Sequence, residues 1–446
     1  MQQHELCMPL EKAPRPFGAG RQLAWPSLEH LNPNTPDSHA RRVAIRGATP
    51  TMSSKWTCSA NEATCLCLEG APPPCDTVFH PDFTYPIFGE AEVIYGYQRL
   101  HIRLSFSSGS LRPCLVVEYA AKHTTTSAKI DDVDAQLREF LPVDDLVAPD
   151  AWEEVTRTEH DTFRPHGTQV ASYRQGGKGR EREFGIFHAT WDTPGFRAWH
   201  KRAQIFTLFF IEGASYLQDD EPYWEFFTLF ERTGDAWHFV GYTSLYRFWC
   251  WPDKIRTRLS QFVILPPYQG QRHGTRLYNA VYAHILSNPR MCELTVEDPS
   301  EAFDKLRDTC DLAYLHQQPD VLAHIKAPID RAWRQAARKQ YKIAPRQWAR
   351  LLDMLGLLQL EEDASAEQLE KYRLQVKARI YQVNREVLDM LPHEQRTEKL
   401  QEAFEAVMDE YAEVTGAEIP EALLHPRTQK RKAESEEDAY MPKRRL

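Results

Sequence analysis

The sequence predicts an α/β core followed by an all-helical C-terminal region. Three observations carry this. Between residues 100 and 310, stretches of alternating apolar residues interleave with stretches of helical period. One strand-like run, FVILPP, leads through a glycine-bearing loop, YQGQRHGTRL (268–277), into an amphipathic pattern. Beyond about residue 325 the helical period continues and the strand pattern does not recur. The 446 residues suffice for two to four domains. A 42% hydrophobic, 26% charged composition with 11 Trp and 21 Phe suits a globular protein with a real core.

The elements follow in order. Residues 1–55 are rich in Pro, Arg, Ser, Thr and Asn and lack periodicity, so they are expected to be a disordered extension. LHIRLSF (100–106) alternates as a half-buried strand, with CLVVEYA (114–120) as its partner. DDVDAQLREFL (131–141) places Val133, Leu137, Phe140 and Leu141 on one helical side. FRAWHKRAQIFTLFFIEGASYL (196–217) reads as one long helix. YWEFFTLFE, the turn RTGD and AWHFVGYTSLYRF (236–248) read as a β-hairpin. SQFVIL (260–265) is a further strand, MCELTVE (291–297) another, and DPSEAFDKLRD opens a helix. This order argues for an α/β domain. WRQAARKQYKI, PRQWARLLDMLGLLQL, EQLEKYRLQVKARIYQVNREVLDM and HEQRTEKLQEAFEAVMDEYAEV read as successive helices. The resulting division is 1–55, 56–195, 196–325, 326–425 and a basic tail, 426–446.

Charge and cysteine usage narrow the function classes. A net charge of −9 disfavours general nucleic-acid binding and suits a basic peptide partner. No run of about 18 apolar residues predicts a membrane span, and the first 30 residues lack a signal-peptide core, so an intracellular protein is expected. Cys58, Cys65, Cys67 and Cys75 cluster, but their only tight pair is C-x-C, which is poor zinc spacing.

The chemistry-bearing residues lie around the glycine loop and the strand after it. The first turn of a helix carries unpaired N–H groups at the positive end of the dipole, and glycines let a phosphate approach them. In ELTVEDPSEAFDKL, Asp298 fits a helix N-cap, Pro299 the first helical position and Glu301 a capping box. Glu297 is then left at a strand end, either as a reactive carboxylate or as a solvated one. Glu212, beside Leu208, Phe209, Ser215 and Tyr216 at helical spacing, is a second carboxylate that burial would make a proton acceptor. Alternatively it is a helix-end glutamate satisfied by a neighbour. His273 suits a loop anchor better than a base, and Tyr278 is either a general acid or a packing residue.

SQFVILPPYQGQRHGTRLYNAVY and ELTVEDPSEAFDKLRD together closely resemble the catalytic subunits of fungal type B histone acetyltransferases. WPDKIRTRLSQ, FFIEGASYLQDDEPYW and YPIFGEAEVIYGYQRL (85–100) match as well, over residues 56 to 425 in all. The resemblance implies a GCN5-related N-acetyltransferase core with an α+β N-terminal domain and a helical C-terminal domain. It implies acetyl-CoA as cosubstrate, no metal, and a lysine of the N-terminal tail of new histone H4 as acceptor. It also implies Glu297 as general base with Glu212 and Asp298 as helpers or alternates. Phe262, Val263 and Ile264 are expected along the pantetheine arm. Gln269, Gly270, Gln271, Arg272, His273, Gly274 and Thr275 are expected around the pyrophosphate, with Ser300 nearby. Glu90, Glu92, Tyr246 and Phe248 are expected to meet the basic tail. The implied partners are histone H4 with H3 and a WD-repeat histone chaperone, with no direct nucleic acid and no membrane. The implied roles are chromatin assembly and DNA repair, in cytoplasm and nucleus.

One position departs from the family. Its loop pattern is Q-x-x-G-x-G, and here the first glycine is Arg272. If φ there is positive, arginine is strained; if not, its guanidinium is free to pair with phosphate. A histone-binding subunit with weakened catalysis is the competing reading. A helix-turn-helix reading of RKQYKIAPRQWARLLDMLG competes less well, because its Ala and Leu positions serve a bundle equally. KRK (430–432) and KRR (443–445) suggest a bipartite nuclear import signal, or else a solvated charge run.

Overall fold

The computed structural model describes residues 55–75, 77–124, 128–176, 181–360 and 364–425. The expected extension and the basic tail lie outside the described residues, apart from Lys55. The chain divides into two compact units at Glu301/Ala302.

The first unit opens with β1 (Thr57–Ser59), α1 (Ala60–Ala63), β2 (Thr64–Glu69), α2 (Tyr85–Phe88), β3 (Val93–Tyr95) and β4 (Tyr97–Gln98). β5 (His101–Ser107), β6 (Pro113–Glu118), β7 (Ala121–Lys122), α3 (Val133–Phe140) and α4 (Trp152–Thr162) follow. β2, β5 and β6 form a small sheet, with β2 parallel and β6 antiparallel to β5. The alternation seen in LHIRLSF buries Ile102, Leu104 and Phe106 completely. The Asp132 carboxylate accepts the Ala135 N–H at 3.2 Å and so caps α3, whose Val133 and Leu137 are buried.

The second half of this unit holds β8 (Thr168–Gln175), β9 (Arg182–Thr190), α5 (Phe196–Ala203), α6 (Ile205–Phe210), β10 (Trp224–Thr233), β11 (Ala236–Cys250) and β12 (Lys254–Ile264). α7 (His273–Ser287) and β13 (Met291–Val296) complete it, and α8 (Glu301–Leu315) begins at its end. The strands make one sheet in the order β13-β12-β11-β10-β9-β8. Every neighbour pair is antiparallel except β12 and β13, which the α7 crossover makes parallel. β10 is buried from Trp224 through Glu231, the mark of a strand covered on both faces. Two of these strands, β8 and β9, precede residue 196, and their weaker alternation did not single them out.

The long helix expected over 196–217 is two helices. α5 ends at Ala203, α6 at Phe210, and the chain then turns through Gly213 at φ 73°. Apolar residues on every side of IFTLFF mimic a continuous helical stripe. Ile205, Phe206, Thr207, Leu208 and Phe209 are all buried, so the run reflects full enclosure rather than one long amphipathic face.

The second unit is helical: the remainder of α8, then α9 (Pro319–Leu322), α10 (Arg331–Tyr341), α11 (Pro345–Leu358), α12 (Ala366–Val383), α13 (Arg385–Leu388), α14 (His393–Thr415) and α15 (Glu421–Leu424). Trp348, Leu351, Leu352, Met354 and Leu355 of α11 are at most 1% exposed. That burial makes α11 a bundle helix, the use to which its Ala and Leu positions are equally suited. Two buried carboxylates tie the helices together. Asp353 accepts from Arg379 Nε at 2.5 Å, and Asp308 from Gln347 at 2.9 Å and Arg350 at 2.7 Å. Among the described residues no helix is long and apolar enough to cross a membrane.

Candidate active site

β12 and β13 run as a parallel ladder from Ile255↔Met291 to Leu259↔Val296, closed by the Glu297 N–H on the Leu259 carbonyl at 2.9 Å. β12 continues for five more residues, Ser260–Ile264, past the end of that ladder. The register with β11 slips at the same place: Leu259 faces Leu245 and Gln261 faces Ser244, leaving Ser260 as the extra residue of a bulge. Bulges re-aim side chains. Here the Ser260 hydroxyl donates to Glu297 Oε2 at 2.5 Å. Arg258 Nη1 lies 3.6 Å from Glu297 Oε1, and its guanidinium stands 4.8 Å over the Phe248 ring. The Tyr246 ring is 4.6 Å from Phe248, 4.8 Å from Trp224 and 6.0 Å from Tyr223. Burial first, then the nearby Glu221 carboxylate, push the Tyr246 hydroxyl pKa up. Glu297, Tyr246 and Phe248 are thus brought into one cluster, through two residues, Ser260 and Arg258, that the sequence did not single out. Ser260 had no sequence signal, because a bulge depends on strand pairing.

Beyond the bulge, Val263 pairs with Tyr242 and is buried, while Phe262 and Ile264 are half-buried. Gly241 permits this pairing: a Cβ there would lie 2.3 Å from the Val263 carbonyl oxygen. Gln261 is buried and ties its own strand, β12, to β11 and to the turn after α6. Its Oε1 accepts from Tyr242 at 3.0 Å, its Nε2 donates to the Ser215 carbonyl at 3.0 Å, and its backbone pairs with the Thr243 and Ser244 hydroxyls.

The glycine loop leads into α7 with no side-chain cap at its N-terminus. In a helix of this length the first four N–H groups have no intrahelical acceptor. Gln269 Nε2 holds the Ile264 carbonyl at 2.8 Å and Gln271 Nε2 the Pro267 carbonyl at 3.0 Å. From the sheet, Gln175 donates to the Gln271 carbonyl at 2.9 Å and Arg182 to its Oε1 at 3.0 Å. Arg182 is itself fixed by two 2.6 Å bonds to the buried Glu231 carboxylate. His273 is 1% exposed, with Nδ1 2.6 Å from the Tyr173 hydroxyl. Burial, then Arg182, lower its pKa to about 4. It is therefore a neutral loop anchor at physiological pH. Gly274 and Thr275 occupy the first turn of α7, half-buried, and Tyr278 in the next turn is 1% exposed in packing.

The open question at Arg272 has an answer in the backbone. Arg272 sits at φ 64°, ψ 17°, the left-handed region, and is exposed. The preceding loop glycine, Gly270, is also left-handed at φ 72°, and a Cβ there would meet nothing within 4 Å. The position that holds glycine in the family pattern adopts a positive φ in this chain, which carries arginine there at a conformational cost.

The other expected residues are placed less directly. Glu212 lies exposed in the turn after α6, not on a helix face among apolar neighbours. The turn is fixed by Tyr85 Oη accepting the Gly213 N–H at 2.6 Å, and the Ser215–Gln261 bond brings it to β12. Asp298 is not the N-cap of the following helix, which starts at Glu301. Asp298 sits at φ 32° in the turn after β13, and Ser300 is the residue before the helix. The tight reversal at Glu297–Asp298 uses the residues that a helix starting at Pro299 would need. Glu92 is an internal clamp: Oε1 accepts the Thr84 N–H at 2.5 Å and the Tyr85 N–H at 3.2 Å, and Oε2 accepts from Asn61 at 3.3 Å. It thereby holds the N-terminus of α2. Glu90, two residues earlier, is exposed. The four clustered cysteines go to separate partners, among them His101 for Cys65 at 3.3 Å and Arg182 for Cys75 at 3.2 Å.

A mixed sheet whose two parallel strands part beside a carboxylate, followed by an uncapped helix behind a left-handed loop, is an arrangement suited to acyl transfer. The donors suit a polyphosphate and the strand end suits an extended amide chain. The acetyltransferase (GNAT) family profile matches residues 186–304, so the protein is an acetyl-CoA-dependent acyltransferase. Residues 56–212 match the profile of the histone acetyl transferase HAT1 N-terminus, and 308–361 that of the fungal HAT1 C-terminal region. The chain is 47% identical over 408 residues to the histone acetyltransferase type B catalytic subunit of Mycosarcoma maydis, covering 83% of this chain and 91% of that one. It is 41% identical over 374 residues to the Cryptococcus neoformans subunit of the same description, and 36% over 375 residues to that of Kluyveromyces lactis. These alignments cover 76% and 80% of this chain and 90% and 91% of the relatives. The chain belongs to the type B histone acetyltransferase catalytic subunit family.

Proposed function

We propose that this acetyltransferase modifies lysine side chains on the N-terminal tail of newly synthesised histone H4, with Glu297 as the general base. The observation that carries the reading is the Ser260–Glu297 pair, set where β12 separates from β13. A free lysine amine has a pKa near about 10.4, so a proton must leave before the nitrogen attacks. Glu297, exposed at the strand end, is positioned to take it, with Ser260 fixing one oxygen and Arg258 near the other. Bound acetyl-CoA supplies a thioester acetyl group. The N–H groups of Gly270 to Thr275 would hold its pyrophosphate, and the strand end Phe262–Ile264 its pantetheine arm. Tyr246 and Phe248 offer ring faces to an incoming lysine, and exposed Glu90 offers charge to a basic tail. Glu212, in the turn that Ser215 ties to β12, and Asp298, in the turn after β13, are the alternates for the proton, and Ser300 lies beyond the Glu297 turn.

This acyl transfer gives no role to a metal. Family membership extends the reading to H4 presented with H3, to a WD-repeat histone chaperone as second subunit, and to work in cytoplasm and nucleus during chromatin assembly and DNA repair. One observation, Arg272 at φ 64°, favours a second reading in which histone binding persists and catalysis is weakened. Mass spectrometry of an H4 tail peptide incubated with the protein and acetyl-CoA separates the two. The proposal expects acetyl-lysine on the peptide; an unmodified peptide that still binds the protein supports the second reading.

A further inference from the structure

A cluster apart from the acyl-transfer site joins three elements of the central sheet layer. His188 on β9, Glu225 on β10 and His284 on α7 point their ligand atoms at one another, all within 4.8 Å. Glu225 Oε2 is 3.2 Å from His284 Nε2 and 3.5 Å from His188 Nε2. Glu225 Oε1 faces the other way and takes Arg247 Nη1 at 3.2 Å. Arg247 in turn donates to the Pro222 and Tyr223 carbonyls, so its position is fixed. The two imidazoles stack at 5.0 Å with 29° between planes, and the Phe227 ring backs both, at 5.0 and 5.2 Å.

Hydrogen bonding alone leaves this arrangement incomplete. His188 Nε2 is buried and has no hydrogen-bond partner, although it points at a carboxylate. Without an ion, both Nε2 atoms must carry protons and donate to the same carboxylate oxygen, which His284 reaches at 3.2 Å and His188 only at 3.5 Å. A cation between the three atoms would use all three lone pairs. Four ligands at zinc–nitrogen and zinc–oxygen bond lengths of about 2.0–2.1 Å stand about 3.4 Å apart in a tetrahedron, close to the 3.2 and 3.5 Å found here. The Arg247 bond to the remaining oxygen is the outer contact that orients a ligating carboxylate. Glu225 is 6% exposed, and the two histidines are 23% and 25% exposed. His188 also lines a surface groove with Thr168, Thr190 and Asp192.

We propose that His188, Glu225 and His284 form a site for one divalent transition-metal ion of the zinc type. It would staple β9, β10 and α7, the helix whose N-terminus faces the glycine loop. The site is independent of the acyl-transfer assignment, since none of its residues belongs to that machinery.

The test uses the full-length protein, freed of metal with a chelator, and titrates it with Zn²⁺ by calorimetry and with Co²⁺ by visible absorption. One equivalent should bind, and the cobalt spectrum should show nitrogen and oxygen ligation without the thiolate charge-transfer band that cysteine sites give. His188→Gln and His284→Gln should each weaken binding by at least about 10–100-fold, the cost of losing an outer contact of a metal site alone. Zn²⁺ should raise the Tm of the wild type and leave that of the double variant unchanged. Acetyl-CoA binding by each variant reports that the fold is intact. Absence of stoichiometric binding, binding unchanged in both variants, or a thiolate band would overturn the proposal.

Discussion

Replacing Arg272 by glycine tests the loop most directly, because two effects of opposite sign meet at one residue. The left-handed conformation at φ 64° brings Cβ toward the following carbonyl; relieving this is worth about 1–2 kcal/mol. Glycine offsets about 0.4–1 kcal/mol of that by loosening the unfolded chain. Removing a cation from an uncapped helix N-terminus adds about 0.3–1 kcal/mol at low salt. The net expectation is a free protein more stable by about 1 kcal/mol, a rise in Tm of about 2–4 °C for a unit of this size. Calorimetric unfolding is the assay, read on the transition of the first unit, since two units need not melt together. Acetyl-CoA binding should move the other way. Loss of one exposed guanidinium beside a pyrophosphate should weaken it by about 2- to 10-fold, more at low ionic strength. A glycine variant of lower stability would refute the strain argument. One that binds acetyl-CoA more tightly would mark Arg272 as an obstruction and move the histone-binding reading ahead.

Glu297→Gln should lower kcat by about 10²–10⁴-fold with acetyl-CoA binding little changed, measured by steady-state kinetics and calorimetry; if Glu212→Gln alone gave that loss, the base would be reassigned. Stability of the first unit should fall as pH drops from about 6.5 toward about 4. Burial holds His273 and His238 at about 4 and His200 at about 3, so the unfolded chain takes up protons first. Urea midpoints at several pH values would show this, and His273→Gln should flatten the slope by about 3 kcal/mol over the full window. Deleting residues 426–446 should reduce nuclear accumulation of a fluorescent fusion; unchanged accumulation would remove KRK and KRR as an import signal.

Much of the first unit was legible because its elements are amphipathic or locally punctuated. Alternation in LHIRLSF, the RTGD turn and the glycines after FVILPP each act within a few residues, and the strands, hairpin and helix they announce are present. The family motifs were legible for the same reason: a glycine loop and a strand-end carboxylate are contiguous stretches. Periodicity failed where enclosure is complete. Ile205 through Phe209 are all buried, so the run gave no edge at which to end a helix.

Tertiary structure decided what depends on pairing between distant segments. Ser260 reaches Glu297 only because β12 carries one more residue than β11 at that point. Glu92 became a clamp because the turn before β3 folds back on the start of α2. Arg272 was recognisable as a departure from its sequence alone, but its strain is a property of φ, fixed when Gln175, Arg182 and Tyr173 hold the loop from the sheet. His188, Glu225 and His284 are far apart in the chain, and local spacing carries no trace of a cluster assembled from two strands and a helix. Side-chain period and turn chemistry are short-range quantities, whereas register, burial and convergence are set by which strands pair.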